Sequence, residues 1–191
     1  FNMKAKIPCC SVMQTQKTEV FFAFLFMSFW CLSYYTCFVW NGYFLTTPEL
    51  VGEDNVLEED DAWWLLFFSN ISLAILLPVG GYVGDLMHSR YLAKYTRAQK
   101  VRGSVAIRSD TYGHQKTMIL GSILIIVGAP FAYLSLISSN GNVNSCALAQ
   151  GYFVISIALF GGCMPTVLVD IFQEDLRYTC VGLSYNAANA I

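Results

Sequence analysis

Two short windows of this sequence hold the side chains best placed to do chemistry. The first runs from Pro78 to Lys116. Gly81, Gly84 and Asp85 close one long apolar run, and Asp110, Gly113 and Lys116 stand directly before the next. Between them lie Arg90, Lys94, Arg97, Lys100, Arg102 and Arg108. The second window pairs Asp170 with Arg177 across another break between apolar runs. A carboxylate at a helix end can pair with a cation or with the positive end of a neighbouring helix. Contacts of that kind hold one conformation and must break in another. Gly81, Gly84, Asp85, Asp110, Gly113, Lys116, Asp170 and Arg177 are therefore the gating candidates.

A second set of residues is polar but sits inside the apolar runs. Tyr34, Tyr35, Trp40, Asn41, Asn70, Gln150, Tyr152, Asn186 and Asn189 are the candidates for lining a cavity or for bonding one helix to another. No Asp, Glu, Lys, Arg or His falls deep within any run, although such a residue is the usual mark of proton coupling.

The sequence offers little to an enzyme. His88 and His114 are far apart, both read as lying in the basic segment, and no HExxH is present. Gly80 to Asp85 lacks the GK[ST] ending of a phosphate-cradling loop and follows an apolar span rather than a strand. The seven cysteines form no CxxC pair and no zinc-ligand spacing. We expect no catalytic residue, no metal and no cofactor.

The elements that must position these side chains follow from composition. Of 191 residues, 55% are hydrophobic and only 13% charged, against roughly a quarter charged in soluble domains. The apolar residues are blocked into runs near the ~20 residues needed to span a bilayer. The fold class is therefore all-α, a polytopic membrane bundle. Four complete spans are expected at about 20–45, 62–85, 117–137 and 146–172, with a truncated fifth over 178–191. Residues 1–19 read as a cytoplasmic linker and 86–116 as a basic cytoplasmic loop. Thr46 to Asp61 is an acidic connector without Lys or Arg, and Ser138 to Ser145 is a polar turn. Lysine and arginine mark the cytoplasmic side. The basic loop, the three lysines of the first 19 residues and Arg177 all fall on one side, while both loops without Lys or Arg fall on the other.

Gly81-Tyr82-Val83-Gly84-Asp85 and Tyr112-Gly113-His114-Gln115-Lys116 resemble the two parts of the loop motif of the major facilitator superfamily, G-x-x-x-D-R-x-G-R-R/K, with about two dozen residues inserted. Asp85 or Asp110 stands at the motif's carboxylate. Thr111, His114 and Gln115 replace its arginines, and Lys116 keeps a charge. Pro165 to Asn186, with Arg177-Tyr178-Thr179 and Tyr185-Asn186, is similar to the stretch between the tenth and eleventh helices of metabolite:proton symporters. That resemblance implies the carboxy-terminal half of a twelve-helix transporter. It implies symport of a small organic acid, betaine or amino acid-like solute, by alternating access and with a proton as coupling ion. The partners it implies are that solute, the lipid bilayer and the amino-terminal half of the same protein, with no nucleic acid. The location expected is a plasma or organelle membrane. The runner-up is a non-transporting membrane scaffold or signalling protein of transporter ancestry.

Overall fold

The structure is a computed structural model that describes residues 16–102, 112–172 and 176–190, the helix over 94–102 as backbone only. Among these residues there is no strand. Helix α1 runs Lys17–Thr46, and a short α2 spans Pro48–Val51. Then come α3 at Glu59–Arg102, α4 at Tyr112–Ile137, α5 at Val143–Ile171 and α6 at Arg177–Asn189. Four of these, α1, α3, α4 and α5, are long and apolar enough to cross a membrane.

Helix α5 is the axis of the bundle. Of its most apolar 18-residue window 61% is buried, against 22% in each of the other three spans. It packs α3 on one side and α4 on another, and α1 crosses it near Phe29 and Phe160, whose rings lie 4.9 Å apart. Partner pairs give the directions. Asn41 meets Gln150 and Tyr34 meets Asn70, so α1 runs against α5 and α3. Ser184 meets Val20 and Cys31 meets Asn189, so α6 runs alongside α1.

Close approach of α3 to α5 depends on missing side chains. A Cβ on Gly80 would strike the carbonyl of Ala158, and one on Gly162 would stand 2.5 Å from the backbone nitrogen of Gly81. Lipid tails are as apolar as leucine, so helices in a bilayer gain by fitting backbones together rather than by hiding from water. Pro78, Pro130 and Pro165 lie inside their helices without ending them.

Two segments differ from the expected loop at 86–116. Helix α3 continues to Arg102, 44 residues in all, or about 66 Å at 1.5 Å per residue. That is more than twice the ~30 Å hydrocarbon layer. Leu86 to Arg102 contains no Gly or Pro and is rich in Leu, Ala, Arg, Lys and Gln, all good helix formers. Polarity alone suggests a loop, but a solvated helix satisfies the same composition. At the other end α4 starts at Tyr112, five residues before Thr117.

The acidic connector is also partly ordered. Its Leu57 and Val51 are buried, and the Leu57 N–H donates to the Leu45 carbonyl at 3.0 Å. Gly52 turns the chain at φ 89°, a conformation that favours glycine. The Asn140 N–H donates to Asn55 Oδ1 at 2.7 Å, tying this connector to the α4–α5 turn.

Candidate functional site

The first window of candidates becomes a site where α3 meets the start of α4. The His114 ring is buried, and its Nε2 lies 2.8 Å from Asp85 Oδ1. The carboxylate itself is 71% exposed, so the contact joins a buried ring to a wet acid. Three glycines make room for it. A Cβ on Gly84 would come within 2.8 Å of the His114 ring and 2.5 Å of Cys163 Sγ. One on Gly113 would run into the backbone of His88. Gly81 faces the Gly162 carbonyl and keeps α3 against α5 just above. Thr117 donates its hydroxyl hydrogen to the Gly113 carbonyl at 3.0 Å and also lies 3.3 Å from Met87 Sδ.

His88, one turn below Asp85 on α3, is drawn in as well. Its ring centroid lies 5.9 Å from that of His114. The Nδ1 atoms of both rings are buried with no hydrogen-bond partner. Two histidines 26 positions apart in a segment read as a loop are thus neighbours in the fold. The signal was present: His114 directly follows Gly113, inside the window that resembles the transporter loop motif.

The remaining charged candidates stay separate. Lys116 is exposed, its Nζ 4.5 Å from the Tyr112 ring centroid, and Tyr112 lies 4.1 Å from the Tyr91 ring. Asp170 is exposed near the end of α5. Arg177 opens α6, with Nε buried and unpartnered. Among the described residues none of these three forms an ion pair with another candidate. Asp110 lies outside the described residues.

The intramembrane candidates form a second centre. Midway along α1, Tyr35–Trp40 widens into a π-helix, a feature frequent at functional sites. Two of its carbonyls take donors from other helices. Gln150 Nε2 of α5 donates to the Cys37 carbonyl at 2.8 Å, and the Tyr133 hydroxyl of α4 donates to that of Thr36 at 3.3 Å. Asn41 Nδ2 donates to Gln150 Oε1 at 2.7 Å, and both side chains are fully buried. The Tyr34 hydroxyl donates to Asn70 Oδ1 at 2.9 Å, and Asn70 Nδ2 to the Leu66 carbonyl. The Tyr152 hydroxyl donates to the Leu124 carbonyl. These five residues bond helix to helix. Tyr35 and Trp40 instead stand exposed on the bundle surface.

Tyr35 borders a hollow of about 370 Å³ between α1 and α6. Asn189 lies on its other wall, with its Oδ1 3.4 Å from Cys31 Sγ. Leu32, Ala188, Ser28 and Cys31 complete it, and neither of the last two is among the cavity-lining residues expected from the sequence. They fall at 28, 31 and 35 with Tyr35, one helical face, which is the signal that would have found them. Asn186 is exposed on α6 and lies outside this set. A larger hollow of about 630 Å³ between α1, α4 and α5 is walled chiefly by Phe22, Phe26, Phe29, Met118 and Ile126. Thr18, Glu19, Gln115 and Ser122 also border it. Among the described residues no cluster of His, Cys, Asp and Glu is arranged to hold a metal ion.

The four apolar spans and their packing define an integral, multi-pass membrane protein. No protein-family model matches the chain, and no solved structure matches it significantly. The chain is similar to the inner membrane metabolite transport protein YhjE of Escherichia coli (strain K12), at 23% identity over 192 residues. The match covers 98% of this chain and 36% of that protein. The chain therefore spans just over a third of the length of this curated relative.

Proposed function

We propose that this chain is part of a secondary active transporter of the major facilitator type, and corresponds to its carboxy-terminal half. In this reading it moves a small polar solute, an organic acid, betaine or amino acid-like molecule, together with a proton. The helical bundle rocks against a second bundle, and the solute is held between the two. The similarity to a metabolite transport protein supports the class.

The observation that carries the reading is the Asp85–His114 contact seated on Gly84. It joins the ends of two successive spans through one exposed and one buried group. Such a contact is strong enough to favour one state and open enough to break. Asp85 then acts as the latch carboxylate, and the exposed Lys116 and Asp170 and the half-buried Arg177 are left to pair across to the second bundle. The solute-facing surface we assign to Tyr35, Ser28, Cys31 and Asn189. The buried Asn41–Gln150 and Tyr34–Asn70 pairs and Tyr152 set the helix positions behind that surface.

The test is uptake of labelled proline, betaine and dicarboxylates by the full-length protein in vesicles, with an imposed proton gradient. Saturable uptake of one of them is expected, and residues 1–191 alone should show none. Correct insertion with no accumulation of any solute would favour a membrane scaffold of transporter ancestry.

A further inference from the structure

Helices α1 and α4 both pack on α5, yet they part from one another toward one end of the bundle. At the other end they touch. The Tyr133 hydroxyl of α4 donates to the Thr36 carbonyl of α1 at 3.3 Å, and the Tyr133 and Phe44 rings lie 5.4 Å apart. Toward their first residues the two helices splay, and the hollow of about 630 Å³ opens between them with α5 as its floor. On α1 its lining falls at Thr18, Glu19, Phe22, Phe26 and Phe29, one stripe of the helix. Each wall covers eleven residue steps, from Thr18 to Phe29, Gln115 to Ile126 and Ile171 to Phe160. That is about 17 Å at 1.5 Å per residue, close to half of the ~30 Å hydrocarbon layer. The trough is one leaflet deep.

Its polarity is graded along that depth. Thr18, Glu19 and Gln115 stand at the mouth, and Phe26, Phe29, Ile126 and Phe160 close the inner end. Phe160 and Val167 of the floor are buried, whereas Phe22, Ile119 and Ile126 on the rims are exposed. In a bilayer the trough therefore opens sideways to lipid. Glu19 is the one charged side chain among the described residues that border it, and among the described residues it is in no ion pair.

We infer that this trough binds one acyl chain of an aminophospholipid, with the primary ammonium of the headgroup on Glu19. An apolar slot does not by itself prefer one lipid, since the tails are as apolar as its walls. The choice is made at the mouth. A primary ammonium has three N–H donors, and the Glu19 carboxylate and the Thr18 hydroxyl can both accept from it. A trimethylated ammonium of the same charge has no hydrogen to donate. A headgroup with a net negative charge and no ammonium would meet Glu19 as a like charge. The depth then fits the occupant: with its head at Thr18 and Glu19, the chain ends near the Phe29 and Phe160 rings, 4.9 Å apart. This goes beyond the transport reading and holds whether or not the chain moves a solute.

The test is photocrosslinking of the full-length protein in nanodiscs. The probe is phosphatidylethanolamine or phosphatidylcholine carrying the same diazirine-bearing acyl chain, with labelled residues mapped by mass spectrometry. The ethanolamine lipid should label Phe22, Phe26 and Ile119 about fivefold more than the choline lipid, the worth of one partly screened charge pair. Glu19→Gln should bring the ethanolamine lipid down to the choline level, and Glu19→Asp should keep most of the difference. Ser122→Trp, which fills the trough, should lower labelling by both lipids. Equal labelling by the two lipids in the wild type would overturn the inference. So would no labelling within the trough, the result expected where a further helix of the full-length protein covers it. The wild-type comparison uses no variant, so poor folding of Glu19→Gln leaves the test intact.

Discussion

At the scale of single residues, the absence of side chains matters as much as their presence. Gly84 is the seat of the His114 ring, and Gly113 lets the start of α4 rest on the backbone of His88. Gly84→Leu should therefore displace the ring from Asp85 and lose about 1–3 kcal/mol through overpacking. Thermal unfolding of the full-length protein in detergent reads this as a lowered midpoint, and Gly182→Ala, where a Cβ meets nothing within 4 Å, is the control. Gln150 poses the opposite problem. It bonds Asn41 and the Cys37 carbonyl at once, so Gln150→Leu strands both. Hydrogen bonds between membrane helices are worth about 0.6–2 kcal/mol each. We expect a loss of stability of that order for Gln150→Leu.

At the scale of elements, the π-turn of α1 is the least regular part of a span. A π-turn holds one residue more than the α-helix would place there. Deleting Val39, exposed on its outer side, should restore the α-helical turn. Because the wider turn absorbs that extra residue, the two halves of α1 should keep their relative rotation, and Asn41 should stay opposite Gln150. Cysteines introduced in place of Asn41 and Gln150 should then cross-link both in the parent background and in the deletion, and loss of the cross-link in the deletion would show that the turn does not revert to α. The α1–α6 hollow makes a separate prediction. Cys37, Cys146, Cys163 and Cys180 are buried, whereas Cys31 is partly exposed. With Cys9 and Cys10 changed to Ser, maleimide labelling of the intact protein should fall first on Cys31. A transported solute should slow that labelling, and unchanged labelling at saturating solute would remove Cys31 from the solute-facing surface.

At the scale of the whole molecule, alternation of helix direction places the acidic connector and the basic extension of α3 at opposite ends of the bundle. Single cysteines introduced at residues 54 and 97 should react with impermeant reagent from opposite faces of sealed vesicles. Labelling of both from one face would contradict this topology. Helix α5 is the axis, so substitutions that enlarge Gly161 or Gly162 on its packed face should disturb the bundle more than the same change at Gly151 on its open face. Gly161 meets the Trp30 ring and Leu77, and Gly162 meets the α3 backbone. Lower yield of folded protein and a lower thermal midpoint for Gly162→Leu than for Gly151→Leu would show it. A Cβ at Gly151 meets nothing within 4 Å.

The bilayer-spanning class, the four long helices and their approximate positions were legible in the chain itself. Runs of about 20 apolar residues have one stable home, and the backbone in lipid has one economical way to satisfy its hydrogen bonds. Local signals went less far where two structures suit one composition. Leu86 to Arg102 is polar enough for a loop, yet nothing in it breaks a helix, and the helix continues. Pairings needed the fold. That Gln150 meets Asn41 and the Cys37 carbonyl, and that His88 meets His114 beside Asp85, depends on helix rotation and depth. Those are set by backbone fitting at Gly80, Gly81, Gly84 and Gly162, contacts between residues distant in the chain that no local pattern encodes. Hydropathy thus decided which segments enter the membrane, and packing against α5 decided which of their polar groups could reach one another.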